Sequence, residues 1–177
     1  MRIGLAGWAL VQRFKAEADP LKMVDFFGVV REEFGIEVVE INNVFLESYQ
    51  SDYLATVKQA AADAGVEMEG MAVDQTGDLS VLDEETRKQH IASAMSHFGV
   101  AEQLGLKYFR VNTGGKADGP PEMLEACLDS FRQLAEEGQK RGIAIATENH
   151  GGLSTDPDMM VKLVEGVGLP AMRTLPD

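Results

Sequence analysis

One unit recurs along this chain, and it constrains the fold more than any other feature. At "FGIEVVEI", "AGVEMEGM", "LGLKYFRV" and "RGIAIATE" a glycine (Gly35, Gly65, Gly105, Gly142) follows an amphipathic stretch and precedes a short apolar run. "VGLPAMRTL", around Gly168, is a fifth and weaker copy. Glycine adopts the left-handed backbone that closes a helix, and the apolar run after it has the length of a strand. The opening "RIGLAGW" supplies a strand with no helix before it. The pattern predicts about six strands alternating with five helices.

The helical stretches carry their own signals. Asp19-Pro20 and Asp156-Pro157 each place a capping acceptor before a proline suited to a first helical turn. Asp83, Glu84 and Glu85 put negative charge where a helix dipole favours it. Ile91, Ala94, Met95, Phe98, Ala101 and Leu104 recur at three- and four-residue steps, which is one buried stripe. Alternating β and α elements imply a parallel sheet with right-handed crossovers. Two architectures answer to that, an open doubly wound sheet and a (β/α) barrel. Length favours the open sheet, since barrels usually need about 250 residues and this chain has 177.

Nucleotide binding finds little support. "GLAGWALVQ" lacks the third glycine of a dinucleotide fingerprint, and "NTGGKADG" lacks phosphate-loop spacing. Net charge is -13, which repels phosphate backbones, so no nucleic-acid partner is expected. The one cysteine, Cys127, excludes an intrachain disulfide or a cysteine zinc cluster and reads as a small buried residue of a helix. The N-terminal apolar run is short and meets Gln12, Arg13 and Lys15 without a cleavage pattern. No run approaches the roughly 20 apolar residues of a membrane span. A cytoplasmic location and no membrane partner are the expectation.

The polar residues gather at strand ends. The second strand closes with Glu40, Asn42 and Asn43, and the third with Asp74 and Gln75. The fourth carries Arg110 and Asn112, the fifth Glu148, Asn149 and His150, and the sixth runs to Asp177. In parallel α/β folds the carboxyl ends of strands converge on the ligand site. Glu148 stands out, because a carboxylate directly after "IAIAT" needs a cation or hydrogen bonds to stay charged at the edge of a core. Arg110 also has a purely structural reading, as the partner of a carboxylate such as Glu40 or Glu148. His90 and His97 are seven apart, not four, and read as solvated.

"GIAIATENHGGLSTDPDMMVKLVEGVGLPAMRTLPD", "AEQLGLKYFRVNTGG" and "FGIEVVEINNVFL" together resemble the xylose isomerase-like barrel proteins, the sugar phosphate isomerase/epimerase superfamily. The most specific part is the Glu-Asn-His after strand five with an aspartate at the end of strand six. The resemblance implies a (β/α) TIM-barrel type fold, incomplete in this chain. Residues 1–177 would then form a single truncated barrel domain of six strands and five helices out of an eight-fold barrel. It implies a divalent metal (Mn, Mg, Co or Zn) with Glu148 and Asp177 as ligands. It also implies that Glu148 takes part in moving a proton beside a carbonyl of a sugar or sugar phosphate. Arg110, Asn112, His150 and Glu40 are the expected substrate-binding residues of this carbohydrate isomerase or epimerase. Ligands from strands seven and eight have no counterpart here, so the chain is expected to be a fragment, inactive or nearly so by itself. The first and last strands would leave open edges, which makes association between copies an expectation. Other readings are an inosose-type dehydratase, an apurinic endonuclease or a non-catalytic binding fragment. The endonuclease is disfavoured by the acidity and by having three histidines.

Overall fold

The structure is a computed structural model and describes residues 2–176. Six strands alternate with helices: β1 (Leu5–Ala6), α1 (Val11–Phe14), α2 (Met23–Phe34), β2 (Val38–Asn42), α3 (Ser51–Asp63), β3 (Glu67–Val73), α4 (Glu84–Leu104), β4 (Tyr108–Val111), α5 (Pro121–Arg141), β5 (Ala144–Glu148), α6 (Pro157–Val167) and β6 (Met172–Leu175). The alternation follows the expected one, with a single added turn of helix, α1, before α2. Every glycine junction behaves as the pattern requires. Gly35, Gly65, Gly105, Gly142 and Gly168 all have φ between 61° and 76°, and each sits between a helix and the run that becomes the next strand.

The chain forms two compact units, one of residues 2–72 with 99–106, the other of residues 73–98 with 107–176. In the first unit β1 pairs with β2 and β2 with β3, both parallel, with a register shift between Val39 and Glu40. Its core gathers Met23, Phe26, Phe27, Val30, Ile41, Leu54 and Met71, all inaccessible to solvent. The exposed Trp8 ring stacks on Phe45, and Phe45 stacks on Phe14 at 4.1 Å between centroids.

In the second unit β4 pairs with β5 and β5 with β6, again in parallel. Side chains alternate along each strand, which sorts the two faces. Phe109 meets Phe98 of α4 edge to face at 4.9 Å. Gly138 of α5 lies so close to Ile143 and Ile145 at the start of β5 that a Cβ there would strike the Ile143 carbonyl. Phe109, Ile145 and Thr147 therefore face the helices, and Arg110, Ala146 and Glu148 face the other way. Register fixes their heights, since Arg110 sits opposite Ala146, one step below Glu148.

Two capping expectations part company here. The Asp156 side chain accepts hydrogen bonds from the N–H groups of Asp158 (2.8 Å) and Met159 (3.3 Å) and caps α6. Asp83 does the same for α4, accepting from the Thr86 N–H at 2.9 Å. Asp19-Pro20 caps nothing. Helix α2 begins at Met23, Lys22 stands at its N-cap, and Asp19 takes φ 52° in a turn closed by the Leu21 N–H donating to the Arg13 carbonyl. Asp tolerates left-handed backbone, so the same residue served a turn instead of a cap. Cys127 lies fully buried on α5, where burial raises its thiol pKa far above the ordinary value. Among the described residues no helix is long and apolar enough to cross a membrane.

Candidate functional site

Asp74, Arg110, Asn112, Glu148 and His150 come together in the second unit at the carboxyl ends of its strands. Arg110 is the hub. Its Nη1 donates to Asp74 Oδ1 at 2.8 Å and to Asn112 Oδ1 at 3.0 Å. Its Nε lies 2.8 Å from Glu148 Oε2. That last contact is an ion pair and not an aligned hydrogen bond, for the Nε–H has no well-directed acceptor among the described residues. Asn112 closes the ring, its amide Nδ2 donating to Asp74 Oδ1 at 3.4 Å. The other oxygen of Glu148, Oε1, lies 3.5 Å from His150 Nδ1.

Burial decides how these charges act. The side chains of Arg110 and Glu148 are 8% and 10% exposed, Asp74 26% and His150 64%. An arginine that deep keeps its charge, so it needs counter-charges, and two carboxylates supply them. One guanidinium against two carboxylates gives the cluster a formal excess of negative charge. Such a place attracts a further cation.

Loops lock this face in position. The Leu153 N–H donates to the Gly114 carbonyl at 2.9 Å, and the Ser154 N–H to Thr113 Oγ1 at 3.3 Å, which ties the loop after β5 to the loop after β4. Gly114 (φ 71°) packs against Asp78, and a Cβ on Gly114 would collide with that carboxylate. Asp78 is itself fixed, its Oδ1 accepting from the Ser80 N–H and its main-chain N–H donating to His90 Nδ1 at 3.0 Å. The three loops therefore form one interlocked rim beside the charged cluster.

Of the expected site residues, Glu148, Arg110, Asn112 and His150 share this cluster. The structural reading of Arg110 as a partner of Glu148 is realised in its geometry. Asp74, counted in the sequence among the polar strand ends but given no specific role, is a full member. The signal was a buried-looking arginine that one glutamate could not fully surround. Glu40 stands half-buried on β2 in the first unit. Asp177 lies outside the described residues. The two helix histidines are not solvated as expected. His97 is buried, its Nδ1 3.0 Å from the Ser93 carbonyl, and burial pushes its pKa below the ordinary value. His90 is half-buried in the rim. Neither joins the cluster.

A divalent metal is what the donor types suggest, and the described residues go only part of the way. Glu148 is a hard oxygen donor on a face of excess negative charge, which suits such an ion. Among the described residues, however, no three His, Cys, Asp or Glu side chains are placed to share one.

Parallel βα units with a charged cluster at the strand ends define an α/β protein of the barrel type with a polar site at its carboxyl face. A sequence model described as xylose isomerase-like TIM barrel matches residues 30–177, and the chain belongs to that family. Among curated protein sequences none matches it. Solved structures resemble it over its whole length. D-psicose 3-epimerase from Clostridium cellulolyticum, solved with D-tagatose, has a TM-score of 0.80 at 17% identity, covering 100% of this chain and 63% of that one. A probable 3-DHS dehydratase from Bacillus anthracis has a TM-score of 0.78 at 17% identity, covering 100% and 63%. A xylose isomerase-like TIM barrel protein from Mycobacterium smegmatis, solved with magnesium, has a TM-score of 0.75 at 15% identity, covering 99% and 64%. The chain thus spans just under two thirds of the length of these structures.

Proposed function

We propose that this chain carries part of the active site of a metal-dependent sugar or sugar phosphate isomerase or epimerase, and that residues 1–177 belong to a single barrel domain. The observation that carries the reading is Glu148. It is a nearly buried carboxylate at the carboxyl end of β5, with one oxygen against Arg110 and the other turned toward His150. The family and its epimerase relatives support the same reading.

Glu148 and Asp177 would be metal ligands, and the magnesium bound in one relative favours a divalent ion. Bound there, the metal would polarise the substrate oxygens and acidify the adjacent C–H. Glu148 would take the proton from the carbon beside the carbonyl, the C–H electron pair moving toward the carbonyl oxygen. Returned to the former carbonyl carbon the proton completes an isomerisation, whereas an epimerisation needs a second acid to deliver a proton to the opposite face. His150 and Asn112 would hydrogen-bond substrate hydroxyls. Glu40 belongs to the first unit, and the reading does not depend on it.

Dehydration is the second reading. An exposed imidazole beside a buried carboxylate offers two proton carriers in one place, which suits removal of a C–H proton and departure of a hydroxyl as water. A probable dehydratase among the relatives favours it.

Titration with Mn2+ of the wild type and Glu148→Gln tests the site. Saturable binding in the wild type and its loss in the variant is the expected result, and equal affinity removes Glu148 as a ligand. Incubating the protein with a ketose in D2O then separates the two reactions. Deuterium gained in recovered sugar supports isomerisation or epimerisation, and loss of water from the sugar supports dehydration.

A further inference from the structure

We propose that Arg110 is a positioning residue for Glu148, not a substrate ligand. Its guanidinium is clamped from one side by Asp74 Oδ1 (2.8 Å) and Asn112 Oδ1 (3.0 Å). From that anchorage its Nε meets Glu148 Oε2 at 2.8 Å. The two oxygens of Glu148 are thereby made unequal. Oε2 is held by the protein, and Oε1 is left on the side of His150. The inference rests on the reading of Glu148 as the reacting carboxylate.

Three observations favour positioning over substrate contact. The Arg110 side chain is 8% exposed, so little of it is open to a ligand. Its Nη1 donates to two protein oxygens, and its Nε stands in ion-pair contact with a third. Register places Arg110 one step below Glu148, opposite Ala146, so its long side chain rises along the sheet and reaches the carboxylate from beneath. Arginine suits that task because its planar fork reaches several oxygens at once, whereas a lysine ammonium is a point charge on a flexible stem. Charge explains why the clamp does not silence Glu148. Asp74 balances the guanidinium, so the charge of Glu148 itself is left over to draw a cation to Oε1.

The test uses the full-length protein and Mn2+. Arg110→Lys keeps the charge and removes the fork. Partners that orient a metal ligand typically contribute about 10–100-fold in affinity. Mn2+ affinity is expected to fall by at least about tenfold in Arg110→Lys. In the metal-free crystal structure of that variant the Glu148 carboxylate is expected in a second orientation. Asp74→Asn weakens the anchor while keeping its shape, so a shift in the same direction but smaller is expected. It also carries the test if Arg110→Lys does not fold. A merely structural role would lower the melting temperature and leave Mn2+ affinity of the folded protein unchanged. The proposal is overturned if Glu148→Gln loses Mn2+ while Arg110→Lys and Asp74→Asn bind it as the wild type does. If Glu148→Gln binds as well as the wild type, the ligand reading fails by itself. The Glu148 orientation in metal-free Arg110→Lys then still decides, a moved carboxylate supporting the positioning role and an unmoved one ending it.

Discussion

Thr147 and Glu148 are neighbours on β5 that face opposite ways, and their polar atoms have different fates. Thr147 is fully buried on the helix side, and its Oγ1 has no partner among the described residues. A buried polar group left unsatisfied costs about 1–3 kcal/mol. Thr147→Val keeps the shape and removes the hydroxyl, so a gain in stability of that order is expected, read as a higher urea midpoint at unchanged slope. Arg110 gives the opposite sign. Replacing it by methionine strands two carboxylates without their cation, and breaking a buried pair costs about 3–5 kcal/mol. An Arg110→Met protein is expected to melt far below the wild type. His97 adds a pH dependence. Burial lowers its pKa from 6.5, so the folded chain resists a proton that the unfolded chain accepts. Above about pH 6.5 both states hold the neutral ring and nothing is lost. As pH falls below that value the unfolded state alone gains the proton, and stability declines. Urea midpoints at pH 7.5 and 5.5 are expected to fall less for His97→Gln than for the wild type.

Among the elements, the helix-to-strand junctions were legible because a left-handed glycine is a local demand. Gly35 or Gly142 needs no tertiary partner to make its meaning clear. Caps were legible by half. Asp156 and Asp19 both precede proline, yet only Asp156 meets the N–H groups of a following helix. Nothing within "EADPLKM" distinguishes a cap from a turn; the hydrogen bond from Leu21 back to Arg13 decides it. Asp156→Ala should therefore destabilise by about 0.5–2 kcal/mol, while Asp19→Ala removes no cap. The charged cluster was legible in its members more than in its wiring. Glu148 and Arg110 announced themselves as polar groups on apolar strands. That Asp74 and Asn112 complete the clamp depends on strand register, which residue types do not encode locally. The interlocked loops make a sharper demand. A Cβ at Gly152 (φ 63°) would strike the Gly114 carbonyl. Left-handed backbone alone costs a non-glycine residue about 1–2 kcal/mol. Gly152→Ala should cost more than that in thermal unfolding, because the Gly114 loop must also move.

For the molecule as a whole, the family is that of the xylose isomerase-like barrels, and the proton transfer proposed above rests on the carboxyl-end cluster around Glu148. What the sequence could not state was how a glutamate at the end of a core strand is held on one side and left open on the other. The pairings at Arg110 answer that, with Oε2 of Glu148 held and Oε1 turned toward His150. Anomalous diffraction from crystals of the full-length protein grown with Mn2+ tests this most directly. The expected result is a peak about 2.0–2.6 Å from Glu148 Oε1, with Oε2 still against Arg110. A saturated crystal with its manganese elsewhere, and Glu148 making no bond to it, would contradict the account.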